Sequence, residues 1–184
     1  MKIIVGISGA SGIIYGVRLL EVLRKLKVET HLIVTRPAEI IAEAELGMKA
    51  EQIGRLAFRS YKPEDLAAPI ASGGFRVDGM VVAPCSMKTL SGIARGYGGN
   101  LLLRAADVAV KEGKPLILVV RETPLSLIHL RNMVAAAEAG VTILPACPGF
   151  YHKPKSVKQL VDFVVGKVLD QLGIPHRLYK PWKA

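Results

Sequence analysis

The stretch from Lys2 to Leu26 constrains the fold more than any other part of the chain. Lys2 to Ser8 reads KIIVGIS, a short β-branched run that breaks into glycine, which is the signature of a buried parallel strand. The turn GASG follows. Then Ile14, Val17, Leu20, Leu23 and Leu26 recur at three-residue steps near the helical period. A strand that feeds a helix through a glycine turn must find a second parallel strand to cover, so the unit predicts an α/β protein.

The rest of the chain repeats that grammar. Strands are expected at Val28 to Thr35, Gly79 to Ala83, Pro115 to Val120 and Val141 to Leu144. Helices are expected from Pro37 to Leu46, with proline near the first turn, and from Ala50 to Phe58. Others are expected over Ser86 to Arg95, Asn100 to Lys111, Leu127 to Ala139 before Gly140, and Ser156 to Leu172. Pro63 to Asp78, with Ser72-Gly73-Gly74, reads as an irregular connection. The economical architecture is a doubly wound parallel sheet between two helical layers, a three-layer sandwich. At 184 residues it is expected as one domain over 1–184, with 173–184 a C-terminal tail.

Composition narrows the class further. Hydrophobic residues make up 51% and aromatics only 5%, so the core is aliphatic, as buried parallel strands require. No apolar run approaches the ~20 residues of a membrane span, and Met1 leads directly into a strand, so a cytoplasmic protein without membrane contact is expected. Cys85 and Cys147 lack C-x-x-C spacing and are expected as buried free thiols. The formal charge of +10 suits nucleic acid, a membrane surface or anionic small molecules. The basic residues are scattered, apart from a modest basic end at Lys180 and Lys183, and no aromatic-interleaved basic run offers a stacking platform. Phosphorylated small molecules are favoured over nucleic acid.

Ligands of a doubly wound sheet bind beyond the carboxyl ends of the strands, and four loops stand there. Gly6, Gly9 and Gly12 have G-x-x-G-x-x-G spacing instead of G-x-G-x-x-G, and the second strand ends Val34-Thr35-Arg36 without an acid for ribose hydroxyls, so NAD is disfavoured. That turn suits a flavin or a single phosphate, and also a purely structural role. In Ala83-Pro84-Cys85-Ser86-Met87-Lys88-Thr89 the hydroxyls suit a phosphate or ring edge, or cap a helix. Arg121 and Glu122 follow the most apolar strand, where charges must bind a ligand or each other. The fourth loop presents Tyr151 and His152, and its helix carries Lys167 among apolar residues, either solvated or gripping a phosphate with a hydroxyl.

With those loops in view, the sequence resembles the UbiX flavin prenyltransferase family from Lys2 to Trp182. The segments that carry the likeness are GASGIIYGVRLLEVL from Gly9, PCSMKTLSGIARG from Pro84, NLLLRAADVAVKEGKPLILVVRE from Asn100, IHLRNM from Ile128, ILPACPGFYHKP from Ile143 and DFVVGKVLDQLGI from Asp162. The resemblance implies a flavodoxin-like Rossmann domain, a homododecamer, and FMN with a prenyl phosphate at subunit contacts. It assigns Gly9, Ala10, Ser11, Thr35, Ser86, Met87, Lys88, Thr89 and Arg121 to FMN. It assigns Arg104, Lys111, Glu122, Tyr151, Lys167 and Trp182 to dimethylallyl phosphate, some reaching in from a neighbouring subunit. Ser11, Glu45 and Glu122 are implied as catalytic proton carriers, Glu45 acting through Ser11.

The implied reaction joins the prenyl C1 to N5 of reduced FMN, expels phosphate and closes a ring through C6, with no metal required. The product, prenylated FMN, passes to a partner decarboxylase. Two positions depart from relatives: Lys167 stands where some carry arginine, which removes a planar fork, and Cys147 where alanine is frequent, which argues against a catalytic thiol. The other readings are an FMN-dependent cysteine decarboxylase of the same superfamily and a non-catalytic flavin carrier.

Overall fold

The computed structural model describes residues 1–182; Lys183 of the basic end lies outside the described residues. Six strands form one parallel sheet: β1 (Lys2–Ile7), β2 (Glu29–Val34), β3 (Arg59–Tyr61), β4 (Gly79–Cys85), β5 (Leu116–Val120) and β6 (Thr142–Ile143). Their spatial order is β3-β2-β1-β4-β5-β6. Seven helices cover it: α1 (Ile13–Lys25), α2 (Arg36–Leu46), α3 (Ala50–Gly54), α4 (Met87–Ala94), α5 (Leu101–Lys111), α6 (Leu127–Glu138) and α7 (Val157–Gln171). The expected α/β, doubly wound sandwich is what forms.

Burial follows the composition. β4 and β5 are buried at every residue, and β1 and β2 at every residue but the first. Strands covered on both faces have no polar side to show water, hence their unbroken aliphatic runs. One core layer packs α1, α2 and α7 against the sheet through Leu20, Leu23, Ala38, Val164 and Leu169. The other uses Leu90, Leu101, Leu102, Ala105 and Ala136 of α4, α5 and α6. Gly16 lets α1 lie close on the sheet, because a methyl there would overlap the Ala83 carbonyl oxygen.

One expected element needs correction. The helix expected to run to Phe58 stops at Gly54, and the chain instead enters β3, which pairs with β2 from His31 to Ile33. Arg59-Ser60-Tyr61 is too short to show alternation, and only Tyr61 is buried, so no periodic signal marks the strand. The connection 63–78 is irregular as expected, apart from one tight turn at Pro69–Ala71.

The strand order reverses direction between β1 and β4. At that reversal the helices leave the carboxyl ends of the neighbouring strands on opposite faces and a crevice opens between them.

Candidate functional site

A cleft of about 630 Å³ lies at this switch point. The ends of three strands feed it: Gly9 beyond β1, Thr35 beyond β2, and Ser86 to Thr89 beyond β4. Pro63, Glu64 and Leu66 after β3, Asn100 and Leu103 at the start of α5 and Glu122 beyond β5 add to the wall, so the lining carries Arg36 and Lys88 as cations and Glu64 and Glu122 as acids. Three helices, α2, α4 and α5, thus begin on one cavity. The first-turn N–H groups of a helix have no intrahelical acceptor and the peptide dipoles add there, so the cleft favours an anion such as a phosphate.

The sharpest sign of a missing partner is Thr35. It caps α2 in position, with its carbonyl accepting from Ala38 and Glu39, yet its side chain makes no capping bond. Its Oγ1 is buried without a hydrogen-bond partner among the described residues. An unpaired buried hydroxyl costs ~1–3 kcal/mol, a penalty that a ligand oxygen or phosphate would remove.

The β4 loop resolves differently. Ser86 Oγ accepts the Thr89 N–H at 3.3 Å and lies 3.1 Å from Thr89 Oγ1, so Ser86 caps α4. The bland capping role and the cleft position coexist in one residue. Ser8, unforeseen in the sequence, ties the two loops together. Buried, it donates its hydroxyl to the Pro84 carbonyl at 3.0 Å and accepts the Ser86 N–H at 2.8 Å. A short polar side chain at the end of a buried strand was the available signal.

The glycine turn is held from the other side by Glu45 of α2. Its carboxylate accepts the Gly12 N–H at 3.0 and 2.9 Å and the Ile13 N–H at 3.0 Å, replacing the side-chain cap that α1 lacks. Ser11 stands exposed on the same turn, next to the clamped Gly12. Among the described residues no hydrogen bond joins Glu45 to the Ser11 hydroxyl, so the carboxylate meets the backbone beside Ser11 instead.

Arg121 and Glu122 do not pair with each other. Glu122 accepts the Thr123 N–H at 3.0 Å, and both residues are exposed. Arg121 is close enough to Tyr15 to act on its phenol, whose pKa burial raises and the nearby guanidinium partly lowers. Cys85 is buried, and burial pushes its thiol well above the ordinary range. Cys147, expected to be buried, is exposed, because it sits in the loop after β6 instead of in a strand or covered helix face.

The single chain does not bring the remaining candidates to the cleft. Arg104 binds Asp107 at 2.7 Å and the Ala71 carbonyl at 3.1 Å, and Lys111 pairs with Glu112 at 3.1 Å. Lys111 lies at the far end of α5, ~16 Å along the axis from Asn100 at 1.5 Å per residue. Tyr151, Lys167 and Trp182 gather separately around α7. The Trp182 ring meets Tyr151 edge-on at 5.2 Å, and Tyr151 meets Phe163 at 5.8 Å. Lys167 Nζ lies 3.3 Å from Asp170. His152 stacks on Phe163 at 5.4 Å with both ring nitrogens buried and unpartnered. Among the described residues no group of three His, Cys, Asp or Glu is placed to hold a metal.

A parallel sheet of this order, with a cleft at its switch point and no acid at the end of β2, is the frame of a nucleotide- or flavin-binding protein of the Rossmann type, and the Flavoprotein family model, which matches residues 1–169, makes it a flavoprotein. A flavin prenyltransferase UbiX of Methanocaldococcus jannaschii is 48% identical over 182 residues, covering 99% of this chain and 98% of the relative. The crystal structure of AnUbiX (PadA1) in complex with FMN and dimethylallyl pyrophosphate superposes with a TM-score of 0.98 at 43% identity, covering 100% of this chain and 97% of that one. A dodecameric FMN-dependent UbiX-like decarboxylase from Escherichia coli O157:H7 matches with a TM-score of 0.97 at 49% identity over the full length of both. The chain belongs to the UbiX family of flavin prenyltransferases.

Proposed function

We propose that this chain transfers a dimethylallyl unit from dimethylallyl phosphate to reduced FMN, releasing phosphate and giving prenylated FMN for a partner decarboxylase. One observation carries the reading: a buried, unpartnered Thr35 hydroxyl stands where three helix N-termini meet, in a chain alike over its whole length to a protein crystallised with FMN and dimethylallyl pyrophosphate. FMN supplies the reduced ring, whose N5 and C6 accept the five-carbon unit.

The chain's own residues supply binding, orientation and charge. Thr35, Gly9 to Ser11, Ser86 to Thr89 and Arg121 would hold the flavin. Breaking the prenyl C1–O bond sends its electron pair onto the departing phosphate and leaves an allylic cation. Cations already fixed in place stabilise the charge growing on the leaving group without reorganising, so Arg104, Lys111, Arg121 and Lys167 are the electrostatic catalysts, with Tyr151 and Trp182 bounding the donor. Glu122 in the cleft and Glu45 beside Ser11 carry protons.

Arg104, Lys111 and the α7 cluster stand away from the cleft of their own chain, so the complete site calls for neighbouring copies. The surface is suited to that: Leu127, Ile128, Leu130 and Val134 of α6 are all exposed. A homododecamer is the assembly proposed, working in the cytoplasm, and among the described residues no helix is long and apolar enough to cross a membrane.

The cysteine decarboxylase reading is weaker, since near-half identity over the whole length runs to prenyltransferases. It also leaves the phosphate-directed cations without a purpose. Phosphate release tests the choice. Dimethylallyl phosphate should lose inorganic phosphate only when reduced FMN is present; release without flavin, or none with it, would count against prenyl transfer.

A further inference from the structure

The C-terminal segment doubles back onto α7 and is keyed there at two points. Gly166 leaves the helix surface bare: a methyl at this position would come within 2.6 Å of the Tyr179 ring and 2.8 Å of the His176 ring. One turn on, Asp170 gathers the segment. Its Oδ2 accepts the Tyr179 hydroxyl at 2.6 Å and lies 3.3 Å from Lys167 Nζ, while its Oδ1 is 3.0 Å from His176 Nε2. The Leu178 N–H donates to His176 Nδ1 at 3.2 Å, which assigns the ring proton to Nε2 and makes His176 the donor to Asp170. Burial alone would raise the Asp170 carboxyl, but the hydrogen bonds from Tyr179, His176 and Lys167 outweigh it and hold it below the ordinary carboxylate range. Tyr179 then packs on Phe163 at 4.8 Å, and further along the segment Trp182 stands against Tyr151.

We infer that Asp170, seated by the bare backbone at Gly166, is a positioning residue for the prenyl donor: it docks the C-terminal segment on α7 so that Trp182 meets Tyr151, and it fixes the Lys167 ammonium on the same face. The inference rests on the prenyl-transfer reading for the identity of the donor. Asp170 contacts neither donor nor flavin in this role. Charge and position make opposite predictions, which separates them. A carboxylate 3.3 Å from Lys167 opposes an incoming phosphate, so if Asp170 acted only through its charge its removal would tighten donor binding. If it acts by docking, removal loosens it.

The test compares Asp170→Asn, Tyr179→Phe and Gly166→Ala with the wild-type oligomer. Gly166→Ala places alanine in a helix interior, which helix propensity favours, so its effect falls on the docked segment. Trp182 is the only tryptophan, and its fluorescence anisotropy reports docking without any turnover. Donor affinity is read by calorimetry with dimethylallyl phosphate and oxidised FMN, and kcat separately. Anisotropy should fall in Asp170→Asn and Gly166→Ala, donor Kd should rise about tenfold and FMN affinity should change less than about threefold, with Tyr179→Phe intermediate, while kcat should fall further in Asp170→Asn, which frees Lys167, than in Gly166→Ala, which leaves the Lys167–Asp170 pair in place. Unchanged anisotropy, an undocked segment with unchanged donor Kd, or tighter donor binding in Asp170→Asn would each overturn the inference. If the wild type forms no prenylated flavin, the prenyl-transfer reading fails by itself, while anisotropy and Kd still decide the role of Asp170.

Discussion

Both carboxylate oxygens of Glu45 lie within 3.0 Å of the Gly12 backbone nitrogen, so one acid on α2 closes the N-terminus of α1 at the glycine turn. The structural and chemical uses of Glu45 therefore overlap, and a substitution must keep the first to expose the second.

Glu45→Gln meets that need, since an amide oxygen still accepts the Gly12 N–H while the negative charge at the helix dipole is lost. A helix-terminus charge is worth ~0.3–1 kcal/mol, so Tm should fall by only a few degrees. FMN should remain bound and turnover should fall at least about tenfold if the residue carries a proton. Full activity in the folded, FMN-loaded variant would remove Glu45 from proton transfer.

Thr35→Val replaces the orphaned hydroxyl with a methyl of similar shape. Relief of an unpaired buried polar atom should leave the flavin-free protein as stable or up to ~1 kcal/mol more stable, while FMN affinity falls by about tenfold. Thermal unfolding without flavin and fluorescence titration with FMN give the two signs. A variant that loses stability and keeps FMN affinity would mean that Thr35 is a core residue and no part of the cradle.

Ser8→Ala strips the splice between the ends of β1 and β4. The Ser86 N–H loses its acceptor in a part-buried place, at a cost of ~1–3 kcal/mol, and the β4 loop is freed. Denaturant unfolding should show that loss together with weaker FMN binding. A loss of stability with unaltered affinity would confine Ser8 to the fold.

Cys85 sets an alkaline limit. The unfolded thiol ionises near 8.5 while burial keeps the folded one protonated far above that, so its contribution is complete below the ordinary thiol range and declines as pH rises past it. The loss through this group should approach ~1.4 kcal/mol per pH unit, absent in Cys85→Ala. At pH 9 a thiol reagent should add to Cys147 and spare Cys85 until the chain is denatured; native labelling of Cys85 would contradict its burial.

The fold was legible where burial is periodic. β1, β4 and β5 are covered on both faces, so they read as continuous aliphatic runs, and the helices announce themselves through Ser86, Asn100 and Ser156 at their caps. β3 left no trace because three residues at a sheet edge bury one side chain. The candidate cleft was legible where its lining residues sit next to each other on a loop, as Ser86 to Thr89 do, or beside a glycine turn, as Gly9 does. It was illegible where the partners are far apart in sequence. Ser8 reaches Ser86, Glu45 reaches Gly12, and Asp170 receives His176 and Tyr179 only once the segment folds back. Spacing along one strand of sequence carries no record of such closures, and it carries still less of Arg104 and Lys111, which bond outside their own cleft to Ala71, Asp107 and Glu112.

The mass of the flavin decides most directly whether this chain prenylates FMN. Purified protein incubated without oxygen with reduced FMN and dimethylallyl phosphate should yield, after extraction, FMN heavier by one C5H8 unit together with one inorganic phosphate. Recovery of unmodified FMN from a folded, flavin-loaded oligomer supplied with that donor would contradict it.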